Sequence, residues 1–365
     1  MDFTPAKIGV IVAALGTPDA PTPSALRRYL AQFLSDMRVI DLNPLLWQPL
    51  LRLGVLRRRP RRSAALYSNI WTEDGSPLLL YSHQQVEGLQ ARLGERYRVV
   101  LGMRYGSPSI AEAMAMLERE GIDRILIFSM FPQFSCSTTA SIYDAANMAA
   151  GGRRCPLFHE RKRTYPTLRF VPPYYAEQGY IEALKATIKE AVADMAEPPE
   201  RYLFSFHGIP RRYVDEGDPY RRQCEITAGL LAQALNLPDD RWTIAFQSQF
   251  GREEWLQPYT EDVLAELGAG GVRSLLAVCP GFTADCLETI DEIGREGTHQ
   301  FTEAGGEMLT LVPCLNAHPA WLDVMADLAR RETQGWLDEP QPDILVRFVD
   351  DRADRLDRAG AAAGD

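Results

Sequence analysis

Two stretches of the chain carry side chains able to do acid–base or metal chemistry. In "RYLFSFHGIPRRY", residues 201–213, an apolar run containing Leu203, Phe204 and Phe206 ends in His207, and Gly208 and Pro210 follow. The run reads as a buried strand whose end is punctuated by glycine and proline. In open parallel sheets, ligands collect outside the carboxyl ends of the strands. His207 is therefore either a displayed reactive imidazole or a core histidine satisfied by hydrogen bonds. In "CPGFTADCLETIDEI", residues 279–293, a strand ends at Cys279, a Pro-Gly turn follows, and a helix is expected to begin near Thr283 or Asp285. On such a helix Asp285, Glu288 and Glu292 share one face, bordered by Asp291. Capping explains an acid at Asp285. It explains Glu288 and Glu292 less well, because neighbouring acids repel. One imidazole and several carboxylates at one cleft could bind a divalent cation or act as general bases. Zinc is disfavoured by the lack of a second histidine at ligand spacing.

These residues need a frame, and the frame is an alternation of strand-like and helix-like runs. "KIGVIVAALG", "YRVVLGMRYG", "RILIFSMFPQ", "YLFSFHGIP", "WTIAFQSQFG" and "SLLAVCPGF" read as strands, with amphipathic segments such as "SALRRYLAQFL", "SIAEAMAMLEREG" and "TEDVLAELGAGG" between them. Such alternation predicts an α/β fold of parallel sheets flanked by helices. The halves echo each other: "ALGTP" at 14–18 matches "FHGIP" at 206–210, and "PQFS" at 132–135 matches "PGFT" at 280–283. Two similar domains are expected, residues 1–170 and 171–331, with strand ends facing a shared cleft. The echoing prolines stand 114 residues apart in the first half and 70 in the second. The excess falls on residues 39–71, apolar first and then basic with Arg57, Arg58, Arg59, Arg61 and Arg62. This insertion reads as a helical hairpin with a solvated basic edge, or as an apolar lip over the cleft with arginines for acidic groups on a ligand or a membrane surface. Residues 332–365 read as a tail, partly disordered at its end.

Bulk properties narrow the classes. At 365 residues and 46% hydrophobic content the chain suits two soluble globular domains, and a net charge of -10 argues against nucleic-acid binding. The N-terminal apolar run, Ile8 to Gly16, reads as a strand and not as a signal, and no segment approaches a membrane span. The expected location is cytoplasmic, with peripheral membrane contact through the lip. The six cysteines form no CxxC pair, so neither a zinc ribbon nor a thioredoxin motif is signalled. No GxGxxG or Walker A loop follows the strands, which weakens a nucleotide-dependent reading.

The ordered set "LGTPDAPTPSALRRYLAQFLSDMRV", "GSPLLLYS", "GMRYGSPS", "FPQFSCST", "FSFHGIPRRYVDEGDPY", "FQSQFGREEWLQPYT" and "CPGFTADCLETIDEI" resembles the ferrochelatases of the bacterial protoporphyrin type, over roughly residues 6–330. The resemblance implies two Rossmann-like, chelatase-type domains with a porphyrin between them, and insertion of Fe2+ into protoporphyrin IX as the last step of heme synthesis. It places the family's catalytic and metal-handling histidine on His207 and its acidic counterpart on Glu288, and it makes Asp285 and Glu292 an acidic path toward the macrocycle. Leu15, Tyr67, Ser76, Arg104 and Tyr105 fall at or near positions that meet the porphyrin or its propionates. Some relatives carry a histidine where this chain has Cys286. Some carry an iron–sulfur cluster; Cys136 resembles one of its ligands, yet no cysteine follows Cys314, so no cluster and no resident cofactor is expected. Porphyrin and ferrous iron are the expected partners. Coproporphyrin III is the alternative substrate, and a non-catalytic tetrapyrrole or metal carrier the alternative class. On either substrate the ring must distort to expose a nitrogen lone pair, and a base near its centre must take two protons; an imidazole with an ordinary pKa near ~6.5 suits that task.

Overall fold

The computed structural model describes residues 7–151, 163–251 and 253–337; Cys155 and the expected disordered end of the tail lie outside them. The first half runs β1 (Ile8–Gly16), α1 (Pro23–Phe33), α2 (Pro44–Leu50), α3 (Leu56–Ile70), α4 (Pro77–Leu93), β2 (Tyr97–Tyr105), α5 (Ile110–Arg119), β3 (Arg124–Ser129), α6 (Thr139–Gly151) and β4 (Thr167–Phe170). The second runs α7 (Gln178–Ala193), β5 (Arg201–His207), α8 (Arg211–Asp215), α9 (Tyr220–Leu235), β6 (Trp242–Gln247), α10 (Thr260–Ala269), β7 (Ser274–Val278), a π-helix (Glu288–Gly297), α11 (Thr298–Glu303), β8 (Met308–Leu311) and α12 (Pro319–Glu332).

The strands form two four-stranded parallel sheets of identical plan, β2-β1-β3-β4 and β6-β5-β7-β8. The echo between the halves is thus an echo of topology: β1 and β5 are the equivalent central strands. β1 is apolar throughout, and β5 is apolar at Leu203, Phe204 and Phe206 of its buried stretch, because helices cover both faces. Leu15 and His207 occupy corresponding places at their ends. One hydrophobic cluster, including Val10, Val12 and Leu101 from the first sheet and Phe204, Phe206 and Leu276 from the second, runs through both units. Trp321 of α12 is fully buried within it, edge-on to Phe128 and Tyr180 and tilted against Tyr174. The two units therefore share a core, which fixes the cleft between their strand ends.

Two expectations change. The insertion is not a hairpin: α2, a π-helical turn at Leu51–Val55 and α3 follow one another without a reversal. Pro49 and Pro60 lie inside these helices; each lacks an N–H, and a π-turn between them absorbs the lost regularity. The second helix of the acidic motif also begins later than expected, after Leu287, and it is π-helical. Thr289 contributes to the shift, its hydroxyl bonding back to the Cys286 carbonyl at 3.2 Å and to Asp285 at 2.9 Å.

Gly16 shows how tightly the site end of β1 is drawn. Its φ is +111°, and a Cβ there would stand 1.8 Å from the Tyr105 carbonyl oxygen. No side chain fits without moving β2. Gly16→Ala should lower stability by about 2–4 kcal/mol in urea unfolding; a loss below about 0.5 kcal/mol would show that the strand end is not held this way.

Candidate functional site

His207 closes β5 opposite Gln247, the last residue of β6. Its ring is half-buried between Trp255 and Phe282, with centroid separations of 6.3 and 6.5 Å. Nδ1 lies 2.6 Å from the Gly208 carbonyl oxygen. A carbonyl only accepts, so Nδ1 carries the proton and Nε2 presents a lone pair. That is the tautomer a base requires, and it is not the saturated arrangement of a core histidine.

The acids separate into distinct roles. Glu288 opens the π-helix, half-buried. Glu292, one turn later, accepts from Ser248 Oγ at 2.5 Å and from Gln247 Nε2 at 3.4 Å, and the same Gln247 amide donates to the Glu288 carbonyl at 2.8 Å. Burial pushes the Glu292 carboxyl above its ordinary value and the Glu288 charge adds to this; the Ser248 hydroxyl and His207 pull the other way. The Glu292 carboxyl thus feels both the His207 ring and the Glu288 charge.

Asp285 stands apart, a correction to the shared helix face. It precedes the helix and is buried, and its carboxylate accepts from Thr289 Oγ1 at 2.9 Å, Asn316 Nδ2 at 2.7 Å and the Cys314 N–H at 3.3 Å. Both carboxylate oxygens have donors, and those from Cys314 and Asn316 tie the 314–316 segment to Asp285. Asp291 faces away as well, paired with Arg295 at 2.6 Å and with Asn69 of α3 at 3.2 Å. The repulsion inferred from the sequence is relieved by giving Asp285, Asp291 and Glu292 their own donors.

Across from this group, Leu15 is half-buried against the cluster formed by α1, α3, Tyr105, Leu287 and Ile290. Tyr67 and Ser76 are buried, and Ser76 Oγ accepts from Thr17 Oγ1 at 2.8 Å. Burial raises the Tyr29 and Tyr67 hydroxyls far above the usual phenol range, and the Glu288 charge reinforces it in both. These hydroxyls therefore stay protonated, and Tyr29 Oη donates to the Gly16 carbonyl at 3.2 Å. Arg104 and Tyr105 are already engaged: the Arg104 guanidinium meets Asp36 and donates to Ser141 Oγ at 2.6 Å, while Tyr105 Oη donates to Asp36 at 2.8 Å. Burial lifts the Asp36 carboxyl, but hydrogen bonds from Ser141, the Arg38 N–H and Tyr105, with the Arg104 charge, outweigh it and hold it low. The Arg104 fork is therefore held by the protein itself.

The sequence motifs did not single out Gln247, Ser248, Trp255, Tyr29 or Asp36. Ser248 and Trp255 lie inside "FQSQFGREEWLQPYT", directly after a strand end, so their position was the available signal. Cys136, Cys224, Cys279, Cys286 and Cys314 are free thiols. No group of three or more His, Cys, Asp or Glu side chains is disposed as a metal cage among the described residues.

The family profile of the ferrochelatases matches residues 7–333. Ferrochelatase 1 of Shewanella oneidensis is 45% identical over 333 residues, 90% of this chain and 97% of that protein. The ferrochelatase of Alcanivorax borkumensis is 45% identical over 339 residues, 92% of this chain and 96% of that protein. Among solved structures, Bacillus subtilis SirB with Fe3+ aligns with a TM-score of 0.54 at 13% identity, covering 91% of this chain and 98% of SirB, a likeness of fold. The sirohydrochlorin chelatase SirB of Bacillus subtilis subspecies spizizenii, in complex with cobalt, aligns with a TM-score of 0.52 at 12% identity over 91% and 98% of the two chains.

The raised Glu292 carboxyl sets a pH dependence. A carboxyl with a folded value above its unfolded one favours the fold below the ordinary pKa of about 4.3, and that contribution is lost as pH rises through the raised value. Glu292→Gln should therefore have a higher urea midpoint than wild type at pH 7, the two converging near pH 4. A glutamine variant less stable than wild type at pH 7 contradicts the assignment.

Proposed function

The chain belongs to the ferrochelatase family, and from that premise we propose that it inserts Fe2+ into protoporphyrin IX at the cleft between its two sheets, with His207 as the base and Glu288 and Glu292 as the acidic side. The observation that carries this reading is the His207 ring, fixed through Nδ1 to the Gly208 carbonyl so that Nε2 presents a lone pair, at a parallel-strand end beside two helix-borne carboxylates. Insertion releases two pyrrole protons for each Fe2+ bound. Nε2 is suited to take one from a ring nitrogen. Glu292, with its carboxyl raised by burial, is suited to carry a proton onward. Glu288, at the mouth of the same helix, would attract the ferrous ion. Leu15, at the corresponding strand end of the other sheet, would meet the opposite face of the ring, and Tyr67 and Ser76 would line its edge. Arg104 and Tyr105 would shape that edge through Asp36. Iron enters as substrate, and the reading needs no resident cofactor.

The lip supports a further part of the proposal, contact with a lipid surface. Leu42, Leu45, Leu46, Leu50 and Leu53 are all more than half exposed, with Leu45 at 84%. Arg57, Arg58, Arg61 and Arg62 are exposed on the helix that follows. Apolar side chains beside cations suit an interface between headgroups and acyl chains. No helix is long and apolar enough to cross a membrane among the described residues. Trp47 differs from its neighbours: its indole N–H donates to the Leu34 carbonyl at 2.6 Å, so it anchors the lip.

Two measurements test these statements. His207→Ala and Glu288→Gln should each lower kcat for metalloporphyrin formation by about 10²-fold or more, with folded protein and fluorescence-detected porphyrin binding retained; assays with protoporphyrin IX and coproporphyrin III in parallel fix the substrate. Near-wild-type turnover of Glu288→Gln at saturating iron would remove it from the site. Separately, Leu45→Ser with Leu46→Ser should abolish sedimentation with anionic vesicles and leave insertion into detergent-dispersed porphyrin within about twofold of wild type. Unchanged sedimentation would end the membrane reading.

A further inference from the structure

Arg212 lies five residues beyond His207, in α8, and one guanidinium there joins three segments. Nη1 and Nη2 take the two carboxylate oxygens of Asp41 at 2.7 and 2.9 Å, Nε reaches Glu253 at 2.9 Å, and Nη1 also stands 3.3 Å from Glu216 of the following turn. Asp41 belongs to the segment leading into the lip. Beside it the Tyr213 hydroxyl donates to the Val39 carbonyl at 3.2 Å, a second tie to the same segment. Glu253 belongs to the segment after β6, and that segment is tied by its backbone to the one after His207. Arg211 N donates to the Glu254 carbonyl at 2.9 Å, Leu256 N donates to the Ile209 carbonyl at 3.0 Å, and Pro210 bridges Trp255. The Trp255 ring is one of the two walls of His207, and Ser248, at the other end of the segment, holds Glu292. On its far side the lip touches the segment again, where Arg59 of α3 lies over the Phe250 ring at 4.3 Å.

We propose that Arg212 is a positioning residue, a cross-cleft latch that couples the lip to the segment holding His207 and Glu292 in place. The inference rests on the porphyrin-insertion reading for its consequence, and on the ion pairs alone for its mechanism. A bidentate arginine–carboxylate pair fixes orientation as well as distance. Yet the three side chains are about 40% exposed, so the cluster is screened by salt and contributes little to global stability. A contact that is geometrically specific, energetically small and placed between a lid and a site is suited to opening at each turnover. A flat macrocycle has to enter and a metallated one has to leave past the lip. Closure would then bring Trp255 and Ser248 to their working places only when the lip is down, so the site is complete when the ring is covered.

The test uses the full chain and two readouts. Arg212→Gln should raise KM for porphyrin by about fivefold and Asp41→Asn by no more than that, each with KM for Fe2+ within twofold, and the double variant should be no worse than Arg212→Gln, because Asp41→Asn removes an interaction that Arg212→Gln has already removed. Trypsin cleavage at the exposed lip arginines should quicken several-fold in each variant without porphyrin. Rising salt should bring wild type toward the variants' cleavage rate and leave the variants' own rate flat. Additive effects of the two substitutions, equal effects on both substrates, or unchanged lip cleavage would overturn the latch. If wild type formed no metalloporphyrin, the functional reading would fail, and the cleavage measurements would still decide the latch.

Discussion

The register of the two central strands is the constraint on which the site depends. In the first sheet Gly16 pairs with Tyr105, and in the second His207 pairs with Gln247. Successive side chains on a strand point to opposite faces, so a slip of one residue in β5 would turn His207 into the core and bring Phe206 to its place. The register is protected because residues 8–14 of β1 and 203–206 of β5 are buried between helices. His207, the proposed base, is the next residue after that buried run and closes β5 half-buried. Rigidity up to Phe206 and exposure at His207 are thus two results of the same strand.

The π-helix solves a different problem, the presentation of carboxylates close together without mutual destabilisation. Its first turn carries Glu288 and Asp291, with Asp285 just before it and Glu292 just after. The Asp285 carboxylate is satisfied by an asparagine amide and by hydroxyl and backbone donors, and Asp291 is paired with Arg295. Of the two that remain, Glu292 accepts from Ser248 and Gln247, while the Gln247 amide reaches only the backbone carbonyl of Glu288; neither carboxylate is paired with an arginine or lysine among the described residues. Their charge is therefore available to a metal ion or a proton. The wider π-turn also lets Asp291 turn toward α3 and Arg295, so a sequence cluster of four acids separates into Asp285 and Asp291, engaged by the protein, and Glu288 and Glu292, paired with no arginine or lysine among the described residues.

Much of this was legible in the sequence, and the parts that were not share a cause. The six long strands were visible because burial on both faces demands continuous apolar runs. β4 and β8 escaped because each is four residues long and half-exposed at a sheet edge, which leaves neither an apolar run nor a clear alternation. α6 escaped because its small residues, "TASIYDAANMAAG", give a weak helical stripe. His207 was legible because glycine and proline mark the strand end. The separation of Asp285 from Glu292 was not, because it depends on a helix that starts late and on Asn316, a donor thirty-one residues away. Local spacing can place acids on a common face; it cannot say which of them the tertiary structure has already satisfied.

The lip shows how function and stability pull apart in one segment. A helix carrying Leu42, Leu45, Leu46, Leu50 and Leu53 outward forgoes the favourable burial those side chains offer, and it does so beside a well-filled cluster that holds Leu51 and Leu56. The segment stays folded because its inner face supplies what the outer face does not: Leu51 and Leu56 pack under it, the Trp47 indole bonds α1, and Tyr67 and Ala64 continue the packing toward the cleft. The exposed face is then free to be selected for something other than stability. A porphyrin is itself flat and apolar with acidic edges, so a surface of leucines bounded by arginines suits it and a lipid interface alike. The same physical chemistry that would bring the chain to a membrane would also receive the substrate dissolved there, and the cleft behind the lip is where His207 and Glu288 converge.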